Sequence, residues 1–171
     1  MRVIAGAFKG RRLDAPPGTN TRPTSDRVRE SLFQILGPLD GLKALDLYAG
    51  SGSLGIEALS RGAASAEFVE EDPRAAEVIR ANLDAIGITA QVHRRDALAY
   101  LRAQPGPFDL VFCDPPYALS ERLGPELSRL LPQSPLIVTE SDKRSPLLLD
   151  LPLADERTYG TTRIAIHRGR G

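Results

Sequence analysis

From Lys43 to Glu140 the chain repeats one pattern: a short apolar stretch, a polar or glycine-rich turn, then an amphipathic stretch. The pattern predicts strands at 43–48, 66–71, 88–93, 108–113 and 136–140. Between them it predicts helices at about 53–61, from Pro73 to Gly87, from Asp96 to about Ala103, and one ending near Leu131. Parallel neighbours need long crossovers, so this alternation calls for a parallel sheet with helices on both faces. The tail at 154–159 and 161–167 reads as an antiparallel strand pair joined at Gly160. The expected class is therefore α/β, a mostly parallel sheet with an antiparallel C-terminal pair. In such sheets ligands bind at the carboxyl ends of the strands. The unusual residues gather there: Asp46 to Gly55, Glu70 to Asp72, Asp96, and Asp114 to Tyr117.

The first 38 residues break the pattern. They read as a basic extension, with short strands at 2–5 and 11–13 around a turn near Lys9-Gly10. A proline-rich loop follows at 16–24, then a helix capped at Asp26 and ended by Gly37-Pro38. Residues 39–171 form the main domain. With 171 residues, 42% of them apolar, one core is expected. The longest apolar run is five residues, Ala97 to Leu101, which excludes a membrane span. The single cysteine, Cys113, excludes an internal disulfide and a multi-cysteine zinc site, and with no secretory signal visible the expected location is the cytoplasm.

Charge is unevenly distributed. The 22 basic and 22 acidic residues cancel, yet residues 1–30 hold seven basic and three acidic side chains, and 157–171 hold four arginines and no acid. Two basic ends around an acidic body suit a polyanion contacted locally, although a solvated surface explains the same numbers.

Gly50, Gly52 and Gly55 stand in G-x-G-x-x-G spacing directly after a strand. Such a loop brings backbone close to a ligand. Glu70, 20 residues past Gly50, fits an acid on a ribose, which a dinucleotide site also requires. Asp46 decides against a pyrophosphate, which it would repel. It suits a cationic or amino-bearing ligand such as S-adenosylmethionine, with Asp96 and the adjoining Ala97 placed for an adenine. A simple helix cap is the other reading of Asp96. Tyr48 and Glu71 flank this region; Tyr48 reads as core or rim, and Glu71, like Glu57, most simply as a surface charge.

Asp114-Pro115-Pro116-Tyr117 follows the apolar strand FDLVFC. Prolines remove N–H donors and leave carbonyls free to accept. A carboxylate beside a free carbonyl can hold an –NH2 group by its two hydrogens and aim its lone pair at a methyl carbon. Tyr117 offers a stacking face for a planar base, worth about 1–3 kcal/mol. Cys113 reads as a buried thiol, and His93 and His167 as strand residues without a metal.

DLYAGSGSLG followed by DPPY resembles the class I S-adenosylmethionine-dependent N-methyltransferases, whose sheet is Rossmann-like. With VIAGAFKGRRL and TRPTSDRVRESLFQIL ahead of it, and YGTTRIAIHR in the tail, the chain resembles the bacterial 16S rRNA guanine-N2 methyltransferases of the RsmD type over nearly its whole length. The resemblance implies methylation of the exocyclic N2 of one guanine, position 966, in 16S rRNA already assembled into the small subunit. It implies S-adenosylmethionine as donor and S-adenosylhomocysteine as product, no metal, and a monomer. It places Asp46, Gly50, Gly52 and Glu70 on the cofactor, Asp114, Pro115, Pro116 and Tyr117 in the catalytic loop, and Arg22 and Thr24 near the active site. The basic ends must then hold RNA phosphates, chiefly through Lys9, Arg11, Arg12, Arg22 and Arg27, with Arg163, Arg168 and Arg170 next. Two rivals share these motifs: an N-methyltransferase for DNA adenine or protein glutamine, and a non-catalytic rRNA-binding assembly factor that keeps the pocket.

Overall fold

The computed structural model describes residues 1–18, 24–131 and 133–170. Seven strands form one sheet: β1 (Lys43–Leu47), β2 (Ser65–Val69), β3 (Gln91–His93), β4 (Leu110–Cys113), β5 (Leu136–Asp142), β6 (Leu153–Tyr159) and β7 (Thr162–Arg168). Their order is β3-β2-β1-β4-β5-β7-β6. The first five run parallel, whereas β7 lies antiparallel to β5 and β6. The helices are α1 (Asp26–Leu36), α2 (Ser53–Ser60), α3 (Pro73–Ala85), α4 (Ala97–Arg102) and α5 (Ser120–Leu130), with a 3-10 turn over Tyr117–Leu119 before the last. This is the expected Rossmann-like class I architecture. None of these helices is long and apolar enough to cross a membrane.

Alternation along β1 shows how the layers form. Ala44 packs into a core with α1, α2 and α3 on one face, while Leu45 and Leu47 pack with α4 and α5 on the other. Strand order reverses between β1 and β4, and their register carries Asp46 beside Phe112. The third glycine of the loop serves packing. A Cβ on Gly55 would stand 2.4 Å from the Phe68 ring, so only glycine lets α2 lie this close to β2.

Several local expectations change. Ser25 caps α1, accepting from Val28 N–H at 3.2 Å, whereas Asp26 sits in the first turn and pairs with Arg29. The two N-terminal strands reduce to one bridge between Arg2 and Arg12. Val3 N–H donates to the Arg11 carbonyl and Leu13 N–H to the Met1 carbonyl across this short hairpin, while Ile4 and Ala5 N–H donate to Glu57, Ala7 to the Ser60 carbonyl and Phe8 to the Ser60 hydroxyl. The extension is thus laid along α2, and Val3 and Leu13 join the core of the sheet. Glu57 is fully buried, not a surface charge. Pro125, which could mark a helix start or break, lies inside α5.

Candidate active site

A cavity of about 670 Å³ opens at the carboxyl ends of the parallel strands. That volume is within the usual range for a small-molecule site. Its wall carries Asp46, Glu70, Glu71, Asp72, Asp96 and Asp114 against one cationic side chain, Arg95, among the described residues. The acids come from successive strand ends, because register aligns those ends: Leu47 opposite Val69, Leu47 opposite Cys113, and Cys113 opposite Thr139.

The glycine loop begins at Tyr48, whose φ of 55° turns the chain out of β1. A non-glycine residue there is strained. Tyr48 packs against the α4–α5 core and also faces the cavity, so it is core and rim together. Glu70 locks the loop: Oε1 accepts from Gly50 N–H and Oε2 from Asp72 N–H, each at 2.9 Å. One carboxylate thereby joins the turns after β1 and β2. Asp46 is buried and accepts from Gly55 N–H at 3.0 Å. Burial, reinforced by Glu70, pushes its carboxyl up to about 8 despite that bond. Asp96 caps α4 through Ala99 N–H at 2.9 Å and still lines the cavity, so cap and wall coexist. Ala97 lies beside it. Gly52 does not reach the wall. It caps α2 at φ 81°, and a Cβ there would meet Ile79 and Phe68, so its role is packing.

On the other side stand Asp114, Pro115, Pro116 and Tyr117. Pro116 does not offer its carbonyl freely, since Leu119 N–H donates to it at 2.9 Å. Pro115 keeps its carbonyl clear of backbone donors among the described residues. The Tyr117 hydroxyl bonds to the Thr162 side chain at the start of β7, which sets the ring against the cavity.

The residue the sequence reading passed over is Glu140. It stands on β5, one residue beyond the Cys113–Thr139 pairing, and is 4% exposed. Its carboxyl hydrogen-bonds that of Asp114, and Thr24 Oγ1 donates to its Oε2. Burial and the neighbouring carboxyls Glu140 and Asp46 raise Asp114 well above the usual carboxylate range. Burial raises Glu140 too, although the bonds from Thr24 and Asp114 oppose it. Thr24, expected near the active site and the RNA, lines the cavity and is buried, with its hydroxyl donated to Glu140. Arg22 lies outside the described residues. Lys9, Arg11, Arg12 and Arg27 are exposed and stand away from the cavity wall. Arg163 is buried and paired with Glu156, which removes it from the exposed cations.

The fit to a sulfonium-bearing nucleoside rests on these acids. An anion such as a pyrophosphate would meet Asp46, Glu70 and Asp114 together, whereas a ligand carrying positive charge relieves their mutual repulsion. Residues 1–168 match the family model described as Conserved hypothetical protein 95. YlbH of Bacillus subtilis is 43% identical over 185 residues, covering both chains completely. Ribosomal RNA small subunit methyltransferase D of Haemophilus influenzae is 38% identical over 173 residues, 94% of this chain and 89% of that one. The solved structure of yhhF from Escherichia coli superposes with a TM-score of 0.84 at 33% identity, covering 100% of this chain and 98% of that one. The chain belongs to the Conserved hypothetical protein 95 family, among its methyltransferases of the RsmD type.

Proposed function

We propose that the chain moves a methyl group from S-adenosylmethionine to the exocyclic N2 of a guanine in 16S rRNA, at position 966, with the assembled 30S particle as substrate. The observation that carries this reading is Asp114 beside the unspent carbonyl of Pro115, facing a cavity walled by acids. The likeness to an rRNA small subunit methyltransferase over 94% of the chain supports the RNA class.

The donor, when bound, supplies an electrophilic methyl on a positively charged sulfur. Glu70 and the Gly50 loop, Tyr48, Asp46, Asp96 and Ala97 are the residues placed to hold it. Asp114 and the Pro115 carbonyl accept the two amine hydrogens of the target base and so orient its lone pair. Tyr117 provides the face on which that base stacks. These groups supply alignment and exclusion of water, the main demands of a direct displacement. A guanine within folded rRNA must be extruded to arrive there. Lys9, Arg11, Arg12 and Arg27 hold the surrounding phosphates from the exposed extension.

The test offers methyl-labelled donor to 30S particles, naked 16S rRNA and duplex DNA, then digests the product to nucleosides. N2-methylguanosine from the 30S particles is expected. Label in DNA or in protein, or donor binding without transfer to any substrate, overturns the reading in favour of one of the two rivals. Charge reversal at Arg11 and Arg12 tests the interface: each lost phosphate contact lowers the log–log salt slope by about 0.7–0.9. An unchanged slope removes the extension from the interface.

A further inference from the structure

We propose that Glu140 is a positioning residue that makes Asp114 the acceptor of the target amine's proton, the two carboxyls acting as a pair that shares one proton. This rests on the amine-methylation reading above and adds to it where the proton goes.

The geometry comes from the sheet. Cys113 pairs with Thr139, so the next residues, Asp114 and Glu140, stand side by side at the ends of parallel β4 and β5. Their carboxyls hydrogen-bond to each other. Two ionised carboxylates have no donor between them, so the bond requires a proton on one. Thr24 Oγ1 donates to Glu140 Oε2. A donated hydrogen bond favours the charged form, so the negative charge is drawn to Glu140 and the shared proton lies toward Asp114. Asp114, not Glu140, reaches the cavity wall. Glu140 therefore acts through Asp114.

The surroundings hold the pair at one negative charge. The titratable groups facing it are Asp46 from β1, Cys113 from β4 and Tyr117 from the turn after it. Each is neutral or acidic, and neither carboxyl makes an ion pair among the described residues. Losing the second proton would place two charges in contact without a counter-ion, so the pair titrates as a unit.

The reaction needs such an acceptor. As the amine nitrogen bonds to the methyl carbon, the carbon–sulfur bond breaks and its electron pair stays on sulfur. The nitrogen gains positive charge and must lose a proton. An oxygen of Asp114 takes it while the shared proton passes fully onto the Glu140 carboxylate, so the pair goes from one negative charge to neutral. The proton then leaves to solvent, restoring the starting state. Charge and atoms balance without any further reactant.

The experiment uses Glu140→Gln. The amide still accepts from Thr24 and can donate to Asp114, so shape is kept while the shared proton is lost. Infrared difference spectra of the unliganded protein, collected across a pH titration, read protonated carboxyls directly. The wild type is expected to show a deuterium-sensitive protonated-carboxyl band for the pair beside that of Asp46. Glu140→Gln and Asp114→Asn should each remove the band of the pair and leave that of Asp46. Where 30S methylation is measured, Glu140→Gln should lower kcat about 100-fold or more, the scale of a lost proton acceptor, with KM for the donor unchanged. Should Glu140→Gln not fold, Asp114→Asn reads the same band from the other side. A band unaffected by both substitutions, or wild-type kcat in a folded Glu140→Gln, overturns the proposal. The spectra involve no RNA, so a wrong substrate assignment would leave the infrared result standing, and a wrong proton assignment would fail it whatever the substrate.

Discussion

Two buried charge clusters, one between α1 and α2 and one at the ends of β4 and β5, are built in opposite ways. Around Glu57 charge is matched by opposite charge: Ile4 and Ala5 N–H donate to its carboxylate, Arg61 pairs at 2.9 Å, and Arg29 Nη1 lies 3.5 Å away. Arg29 in turn donates to the Arg2 carbonyl at 2.7 Å and to Asp26 at 2.6 Å. Around Asp114 and Glu140 only other acids and hydroxyls are found among the described residues. The first cluster fastens the basic extension to the sheet. The second stores electrostatic tension at the cavity. Matched charge makes a joint and unmatched charge makes a site, so burial alone distinguishes neither.

Breaking the joint should give the largest loss of stability. Glu57→Ala strands Arg29 without its buried partner and leaves two backbone donors unsatisfied, which costs about 3–5 kcal/mol. A urea melt at neutral pH measures it, and a loss under 1 kcal/mol would mean the two clusters do not differ as described. Asp114→Ala sharpens the contrast from the other side. Turnover should fall about 10²–10⁴-fold while stability falls less than in Glu57→Ala, because Thr24 still donates to the Glu140 carboxylate left behind and no buried cation is stranded. Donor affinity, measured by calorimetry, should stay close to wild type.

The unmatched cluster also predicts a pH dependence. The Asp46 carboxyl sits at about 8 in the folded chain, above its ordinary value of 3.8. The fold therefore binds that proton more tightly than the unfolded chain. Its contribution is complete below the ordinary value and is lost as pH rises through about 8. The melting temperature of the unliganded protein should decline across that interval, and Asp46→Asn should flatten the decline. An unaltered slope in the variant would place the titration elsewhere. Tyr117→Phe carries the smallest expected effect. It removes only the bond to Thr162, a loss of about 0.5–1.5 kcal/mol, and keeps the stacking face that Tyr117→Ala deletes. Equal damage from both would make the hydroxyl the working group.

The parallel sheet, the glycine loop and the acids at 46, 70, 96 and 114 are all legible in the sequence, because each acid lies in the carboxyl-terminal half of a predicted strand or just beyond it. Glu140 is not marked that way. Its strand continues two residues beyond it, and only β4–β5 register reveals that it stands level with Asp114. The signal available was compositional: TESD closes a strand that is buried almost throughout. Glu57 was misread for a related reason. Its partners, Ile4, Ala5 and Arg29, are distant in sequence, and a lone acid on a helix resembles a solvated one until the opposite wall is known. The N-terminal hairpin is present but short: Val3 and Leu13 pair across it, while the N–H groups of Ile4 and Ala5 turn to Glu57 on α2.

The contact between Gly55 and Phe68 limits how this protein can vary. The two positions share one volume, divided between a missing side chain and an aromatic ring. Enlarging position 55 alone drives α2 off β2 and shifts the loop that Glu70 holds; shrinking position 68 alone opens a void under it. The two costs cancel only when the changes arrive together. Gly55→Ala and Phe68→Leu are thus each expected to be harmful and to rescue one another, so lineages can exchange this pair only by passing through a weaker intermediate or by a paired step.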